Sequence, residues 1–369
     1  MKRRIARMSY EINEVKPLTL SKDRHELIAS VYDLKMYISH AKQWNNRRRV
    51  LFRQMSLLQQ NLTQVIEYPK KLNTIDMYFE KNYELLQEIA KLASKKYNIE
   101  DFEYKIVEEQ AALKKRNNYY RVVESICHYS RDWAVEPCRE IEPLLQYIRK
   151  QCSDLNSSKT LAIVPGSGLG RIAHSLATET KFSSVHAVEY SWLMVLMNEF
   201  IYSKVSSEKV KIYPYLHTYS NHLSLMDQIR SVEIQHSIKL PQSLQIHHGD
   251  FTEFDILTHL KIKESPENLV LVTCFFLDTA ENLIEYLQTI NRISENFHGT
   301  VRWINVGPLK FGTAAKIEVS NEELKMLIQS MGWKFTDEQK PQLLGYLTDT
   351  LGLWQGYYNV TMWTAEKLK

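Results

Sequence analysis

The stretch Leu161–Gly170, with the sequence LAIVPGSGLG, constrains the fold more than any other part of the chain. A short apolar run, typical of a buried strand, ends in Gly166, Gly168 and Gly170, and an amphipathic pattern begins at Arg171. Glycines at such points let the backbone turn tightly and approach a ligand closely. The segment therefore predicts a strand, a tight turn and a helix, the arrangement with which α/β proteins hold nucleotides. A glycine turn with a purely structural role is the alternative.

The residues around this turn narrow the choice of nucleotide. Glu189 follows the next apolar run, Val185–Val188, and an acid at the end of a second strand can accept hydrogen bonds from ribose hydroxyls. A dinucleotide fingerprint places its third glycine three residues after the second, whereas Gly170 comes two residues after Gly168. No Gly-Lys-Ser/Thr follows, which excludes a Walker-type phosphate loop. A compact G-x-G-x-G turn suits a cofactor without a pyrophosphate, and S-adenosylmethionine is the leading candidate.

Two later segments also end in residues suited to an adenosine site. The run 244–248 precedes Gly249 and then Asp250 and Phe251, an acid and an aromatic that could hold the adenine amine and cover its ring. The apolar run 269–277 predicts a buried parallel strand, and Asp278 follows it. Ligands of open α/β sheets bind at the carboxyl ends of the strands, so Asp278 is a candidate site residue. Its alternative role is to cap the following helix.

In this order the blocks resemble one family, the carnosine N-methyltransferases, also called N2227-like proteins. The matching blocks are 164–171, 189–200, 212–217, 227–230, 249–251, 273–280 and 303–309. The resemblance covers about residues 20–369, and the FFLDTA block at 275–280 is far more specific than the glycine turn. It implies an α/β fold, the seven-stranded Rossmann-like class I methyltransferase sheet with an N-terminal helical domain. It also implies S-adenosylmethionine as the cofactor and a histidine-containing dipeptide or a peptidyl histidine as the acceptor.

The resemblance implies roles for individual residues around the cofactor. His128 and Arg131 would reach its methionine part from the helical region, although the family usually has Gln where His128 stands; helix packing is the alternative for both. Cys274 would lie near the cofactor, or would simply be a core residue. The cofactor-binding residues implied by the resemblance are His128, Arg131, Gly166, Gly168, Glu189, Asp250, Phe251 and Cys274.

For the acceptor, the resemblance implies that Asp278 binds the imidazole and acts as the catalytic residue. A carboxylate on one ring N–H fixes the tautomer and leaves the other nitrogen free to attack. Tyr357 and Tyr358 would line the acceptor pocket or simply pack. The family carries a His shortly after the Gly-Pro-Leu at 307–309, where this chain has Gly312. Either His217 or His222 could supply the missing group.

Two alternatives to this function stay open, and the missing His suggests the first of them. One is a methyltransferase for another small amine. The other, from a different class, is a non-catalytic cofactor-binding scaffold whose helical region recruits a partner. Retention of the glycine turn, Glu189, Asp250 and Asp278 argues against the scaffold.

Composition limits the partners and the compartment. The chain has 47 Lys and Arg against 43 Asp and Glu, a balance that does not favour nucleic acid. The basic clusters at 2–4 and 47–49 are interpreted as solvated surface. Four cysteines without a C-x-x-C pair argue against a metal site or disulfides and indicate a reducing compartment. No apolar stretch approaches the ~18 residues of a membrane span, so we expect a soluble, cytoplasmic protein, with the nucleus and a homodimer as open possibilities.

The chain divides by pattern into a loose terminus and two domains. We expect residues 1–20 to be loose, 21–152 to form a helical domain and 153–369 to form the S-adenosylmethionine-binding methyltransferase domain. The segment 205–243 is too long for a simple connection, and long loops usually carry function. It is interpreted as a lid insertion over the acceptor.

Overall fold

The computed structural model describes residues 20–136, 138–204, 209–258 and 266–368. The predicted loose terminus therefore lies outside the described residues apart from Leu20. Six helices precede the first strand: α1 (Lys22–Arg53), α2 (Leu57–Leu62), α3 (Tyr68–Lys96), α4 (Asp101–Leu113), α5 (Tyr119–Asp132) and α6 (Glu142–Cys152). Side-chain caps fix the starts of α1 and α2: the Ser21 hydroxyl accepts from Arg24 N, and Ser56 and Gln59 form a capping box.

Seven strands form one mixed sheet. They are β1 (Thr160–Pro165), β2 (Ser184–Glu189), β5 (Leu244–His248), β6 (Asn268–Cys274), β7 (Thr300–Gly307), β8 (Trp333–Gly345) and β9 (Tyr357–Lys367). Their spatial order is β5-β2-β1-β6-β7-β9-β8; the first five are parallel, and β9 runs antiparallel between β7 and β8. Every residue of β1 and β2 is buried, as expected for strands covered on both faces. The predicted fold class is confirmed.

Sheet topology places a crevice beside the glycine turn. From β1 the chain proceeds to β2 and β5 on one side, whereas β6 and β7 lie on the other side. The order of the strands thus reverses between β1 and β6. In open α/β sheets, ligands bind outside the carboxyl ends of the strands at this point. Gly166 directly follows β1, and Asp278 lies four residues beyond β6.

Helices cover both faces of the sheet. The remaining helices are α7 (Arg171–Ser175), α8 (Trp192–Tyr202), α9 (Leu225–Gln228), α10 (Leu283–Glu295) and α11 (Asn321–Ser330). On one face, Leu144 and Ile148 of α6 pack in a core with Val270 and Ile304 of the sheet. The other face packs against α10 and α11. The last helix of the predicted helical domain is therefore part of the layer that covers the sheet.

The described part of the predicted lid, 209–243, is joined to the helical region. It contains a two-stranded antiparallel sheet of β3 (Val210–Ile212) and β4 (Val232–Ile234). Ile212 and Ile234 share a buried core with α1, α3, α5 and α8. In addition, Asn82 of α3 donates to Tyr213 O (3.0 Å) and accepts from Tyr213 N (2.9 Å). The segment is thus anchored to the helices, and its closure over an acceptor stays a prediction.

Three further observations concern a membrane span, a metal site and the state of the cysteines. No helix in the described ranges is long and apolar enough to cross a membrane. Within the same ranges, no group of three or more His, Cys, Asp or Glu residues could hold a metal ion. The cysteines Cys127, Cys138, Cys152 and Cys274 are free thiols.

Candidate active site

The glycine turn needs its first two glycines for different reasons. Gly166 has φ 58°, and a Cβ atom at this position would lie 2.4 Å from Cδ2 of Phe276. Gly168 has φ 54°, but a Cβ atom there would meet nothing within 4 Å. Gly166 is therefore fixed by packing, whereas Gly168 exposes its backbone to open space. That space is where a ligand could approach the turn closely.

Glu189, the last residue of β2, ties this turn to the second strand. Its two carboxylate oxygens accept from Gly168 N (2.8 Å) and from Ser191 N (2.8 Å). The side chain is buried, and burial raises the pKa of Glu189 although these N–H groups oppose the shift. A carboxylate has about four lone-pair sites. Acceptor capacity therefore remains for ribose hydroxyls, the role that the sequence predicts for Glu189.

Arg131 is a buried cation whose ion pair with the adjacent Asp132 is long and leaves part of the guanidinium without a hydrogen-bond partner in the described part of the chain. Its Nε atom has no hydrogen-bond partner among the described residues, and Asp132 Oδ1 lies 3.7 Å from its Nη1 atom. The guanidinium carbon lies 5.2 Å from the ring centroid of Phe275 and 5.0 Å from that of Tyr346. Buried charges are usually paired, and a guanidinium matches a carboxylate well. The site of Arg131 thus fits the carboxylate end of an amino acid.

Other buried polar atoms around the glycine turn have no hydrogen-bond partner within the part of the chain that the structure describes. They are Asp132 Oδ1, Ser167 Oγ, Arg171 Nε and Asn198 Oδ1. The turn itself is fixed from the helical region, because Trp133 Nε1 donates to Leu169 O (2.8 Å). Buried polar groups normally have hydrogen-bond partners, so a group of unpaired ones around a turn indicates a polar ligand. The residues present fit S-adenosylmethionine, and their contacts with its adenosine and amino acid parts stay predictions.

His128 lies in the same cluster as Arg131. Its Nε2 atom lies 3.5 Å from the hydroxyl of Tyr346, and the two rings meet edge to face. Burial, assisted by the charge of Arg131, lowers the pKa of His128 to about 3. The imidazole is therefore neutral at physiological pH and can offer one donor and one acceptor. The structure brings His128 and Arg131 together, as the sequence predicted, and their contact with a cofactor stays a prediction.

Cys274 ends β6 beside Arg131. Burial raises the pKa of Cys274 to about 11, although the charge of Arg131 opposes the shift, so the side chain is a neutral thiol and a poor nucleophile. The next residue, Phe275, has φ 52° and donates its N–H to Val306 O (2.8 Å). Such strain in a residue other than glycine is typical of functional sites. Its ring stacks on Tyr346 with centroids 4.9 Å apart.

Asp250 and Phe251 follow β5 and have identified structural roles. The exposed Asp250 accepts from the N–H and the hydroxyl of Thr252, both at 2.8 Å, and so begins a short 3-10 helix, Phe251–Glu253. Phe251 is buried and packs edge to face against Phe276 and Tyr286. Both residues lie at the carboxyl end of the strand beside β2. Their contact with adenine stays a prediction.

Asp278 does not cap helix α10. Asn282 is the N-cap, and its side chain accepts from Ile284 N (3.2 Å). The capping role proposed as the alternative for Asp278 is therefore wrong. Instead, Oδ2 of the buried Asp278 accepts from Lys310 N (3.0 Å), and burial raises the pKa of this carboxyl. Asp278 thus connects the end of β6 to the loop after β7.

That loop continues to Gly312, where the family His is missing. A Cβ atom at Gly312 would meet nothing within 4 Å, so the position has room for a side chain. The two candidate replacements have different surroundings. The His217 ring lies among Tyr37, Phe79 and Tyr119 and hydrogen-bonds the Tyr37 hydroxyl, so it does not supply the missing group. His222 hydrogen-bonds Thr218 O (2.8 Å) in the anchored segment.

The two predicted tyrosines have different surroundings. The ring centroid of Tyr358 lies 6.2 Å from those of Phe275 and Tyr346. Tyr357 is 47% exposed, and its hydroxyl donates to Gln355. Successive side chains of a strand point to opposite faces, so the neighbouring residues cannot both join one cluster. A role of Tyr357 in the acceptor pocket stays a prediction without a contact to that cluster.

Tyr346 is the main residue that the sequence reasoning missed. It contacts Phe275, His128, Arg131 and Tyr358 at once. One Tyr among 21 in the chain carries no local signal of such a position. Asp132, also missed, lies inside the same helix as His128 and Arg131, and its adjacency to Arg131 could have indicated it.

The strand order, the glycine turn and the acid after β2 define a class I methyltransferase, an enzyme that depends on S-adenosylmethionine. A family model described as carnosine N-methyltransferase matches residues 108–369. The chain belongs to the carnosine N-methyltransferase family.

Individual relatives agree with this assignment. The chain is 27% identical to the carnosine N-methyltransferase of Schizosaccharomyces pombe, over 98% of both chains. It is 28% identical to the rat carnosine N-methyltransferase, over 87% of this chain and 81% of that one. It is also 31% identical to an uncharacterized protein of Saccharomyces cerevisiae, over 65% of this chain, and there it spans about half (53%) of the relative's length.

Among solved structures, magnesium protoporphyrin IX methyltransferase of Synechocystis with bound S-adenosylmethionine matches with a TM-score of 0.35 and 10% identity. That match covers 69% of this chain and 86% of the other.

Proposed function

We propose that this protein transfers the methyl group of S-adenosylmethionine to an imidazole nitrogen of a histidine-containing dipeptide such as carnosine. The observation that carries the proposal is the buried carboxylate of Asp278, held by Lys310 N beyond the carboxyl end of the central strand β6. The names of the relatives supply the acceptor class, a small molecule that contains histidine.

Asp278 would act on the acceptor. Neutral imidazole attacks through the nitrogen that carries a lone pair, and its other nitrogen carries a proton. A carboxylate that accepts this N–H selects the tautomer and stabilises the positive ring that forms during transfer. Lys310 N donates to Oδ2 of Asp278 and uses only one of its acceptor sites, so Oδ1 can still accept a hydrogen bond from the acceptor.

The other residues would hold and orient the cofactor. When bound, S-adenosylmethionine supplies an electrophilic methyl group on a sulfonium. The Gly168 backbone and Glu189 would hold the adenosine, and Arg131 would pair with the carboxylate of the methionine part. The aromatic cluster of Phe275, Tyr346 and Tyr358 would exclude water next to Arg131. Methyl transfer needs chiefly such orientation and dryness.

A second candidate is methylation of another small amine at the same site. The observation that favours it is Gly312, which provides no side chain where the family His contacts the dipeptide. The acceptor would then be held by one identified polar group, Asp278, instead of two. An acceptor that brings its own polar partner would be preferred over carnosine.

One experiment separates these candidates. The purified chain is incubated with labelled S-adenosylmethionine and, separately, with carnosine, related histidine dipeptides, free histidine, histidine-containing peptides and a set of small amines without imidazole. Label in the imidazole compounds that is lost in the Asp278→Asn variant supports the proposal. Label only in amines without imidazole favours the second candidate and removes the imidazole role of Asp278.

The location of the protein also remains a proposal. Four free thiols and no C-x-x-C pair suit a reducing compartment, and we propose the cytoplasm. Fractionation of cells that express the tagged chain would test it.

A further inference from the structure

The loop between β8 and β9 begins with a strained turn that carries Tyr346. Leu347, the next residue, has φ 53°, in the left-handed region that residues other than glycine rarely adopt. Such a conformation persists only when the surrounding structure holds it. Because Tyr346 is one residue away, whatever holds this turn also sets the position of the Tyr346 ring.

Glu140, which lies just before α6, provides that support. Its Oε2 atom accepts from Leu347 N and its Oε1 atom from Thr348 N, both at 2.8 Å. Glu140 is 7% exposed, so these charge-assisted hydrogen bonds are largely shielded from water. The carboxylate spans two consecutive N–H groups, a pattern that fixes the backbone in one conformation.

The residue before Tyr346 also meets Glu140. A Cβ atom on Gly345 would lie 2.7 Å from Glu140 Oε1, so only glycine lets the carboxylate approach this closely. Glu140 therefore contacts the backbone on both sides of Tyr346. The ring of Tyr346 itself contacts Phe275, His128 and Arg131.

A second anchor holds the same loop farther along. Arg230, from the segment 209–243, pairs with Asp349 and lies 3.7 Å from the Tyr215 ring centroid. The bond joins Arg230 Nη2 to Asp349 Oδ1, and the buried atoms Arg230 Nη1 and Asp349 Oδ2 have no hydrogen-bond partner among the described residues. This anchor fixes the loop to the predicted lid, whereas Glu140 holds the backbone next to Tyr346.

We infer that Glu140 is a positioning residue, which acts on methyl transfer by holding Tyr346 against Arg131 and Phe275. The inference deepens the proposed function and rests on it for its kinetic part. Glu140 itself does not touch the reacting groups. Its effect should therefore pass mainly through Tyr346 and shrink when Tyr346 no longer provides the ring; only the weak, longer-range action of its charge on Arg131 would then remain.

The test compares Glu140→Gln with Glu142→Gln. Glu142, two residues away, pairs with Arg149 at the surface and serves as the matched control. Gln keeps the shape of Glu but offers one oxygen, so one of the two loop N–H groups loses its acceptor. We expect Glu140→Gln to lower kcat/KM for the best acceptor about 10- to 100-fold, and Glu142→Gln to change it less than about twofold.

A double-mutant cycle separates positioning from general destabilisation. In a Tyr346→Leu background, Glu140→Gln should lower kcat/KM further by less than about threefold. The inference is overturned if Glu140→Gln lowers kcat/KM in that background as much as it does in the wild type. It is also overturned if the Glu140→Gln single variant has the kcat/KM of the wild type. If Tyr346→Leu does not fold, Tyr346→Met, which also removes the ring, replaces it in the same cycle.

Hydrogen exchange gives a readout that does not need an acceptor. Amides of residues 345–356 should exchange faster in Glu140→Gln than in the wild type, and at the wild-type rate in Glu142→Gln. Unchanged exchange rates in Glu140→Gln would show that Glu140 does not hold this loop. The two failures are distinguishable. If the wild type methylates no acceptor but the exchange rates change as expected, the proposed function is refuted and the role of Glu140 in holding the loop is kept.

Discussion

Replacement of Gly168 by Ala should weaken the binding of S-adenosylmethionine at least tenfold while the protein stays folded. The position has φ 54°, so Ala would be strained by about 1–2 kcal/mol, the cost of the left-handed conformation. A Cβ atom there meets nothing within 4 Å, so no clash adds to this cost. The methyl group would instead occupy the open space over the turn. If that space receives the cofactor, the variant loses affinity without losing its fold.

Gly332 offers a matched control for the strain. It follows helix α11 with φ 81°, and its Cβ would make only an ordinary contact, 3.6 Å from Lys367 Nζ. Gly332→Ala should therefore lose about the same stability as Gly168→Ala, but it lies on the far side of β9, away from the turn. The two variants differ in one respect, the presence of a methyl group at the candidate site.

Two measurements on the same samples complete the test. Chemical denaturation should give both variants a similar loss of about 1–2 kcal/mol. Calorimetric titration with S-adenosylmethionine should show at least a tenfold weaker binding for Gly168→Ala, about 1.4 kcal/mol, and unchanged binding for Gly332→Ala. If Gly168→Ala binds as well as the wild type, the turn does not approach the cofactor and the argument from open space is refuted.

Three further outcomes follow from the site. Glu189→Gln should weaken S-adenosylmethionine binding by about 1–3 kcal/mol in titration calorimetry, because Gly168 N or Ser191 N loses its charged acceptor; equal affinity would remove Glu189 from the site. Asp278→Asn should keep cofactor affinity but lower turnover sharply. In the wild type, turnover should fall as the pH drops through the raised pKa of Asp278, because the ionised form is the active one; a pH profile unchanged by the substitution would contradict this. Gly312→His should raise kcat/KM for carnosine by about 2- to 13-fold, the value of one hydrogen bond of 0.5–1.5 kcal/mol, and no gain would mean that the missing His carries no information.

Much of the fold could be predicted because its signals are local. The apolar runs before Gly166, Glu189 and Asp278 are buried strands, and their carboxyl ends meet at one edge of the sheet. The capping box at Ser320 and Glu323 begins helix α11, as its spacing indicates. Such features depend on neighbours in the sequence, so the residues alone encode them.

The parts that were missed depend on distant pairs. Tyr346 meets Arg131 across more than two hundred residues, and Glu140 meets Leu347 across a similar distance. The capping interpretation of Asp278 was wrong because a closer residue, Asn282, provides the cap. His217 looked available by sequence, but aromatic side chains from three helices surround it. Tertiary contacts of this kind leave no periodic pattern.

The most direct test of the account is the site of the transferred methyl group. Carnosine and labelled S-adenosylmethionine are incubated with the wild type and with Asp278→Asn, and the product is analysed by fragmentation mass spectrometry. We expect label on the imidazole ring with the wild type and little label with the variant, at unchanged cofactor affinity. Label on the terminal amine of carnosine, or equal ring labelling by the variant, would contradict the central claim that the carboxylate of Asp278 directs an imidazole nitrogen to the methyl group.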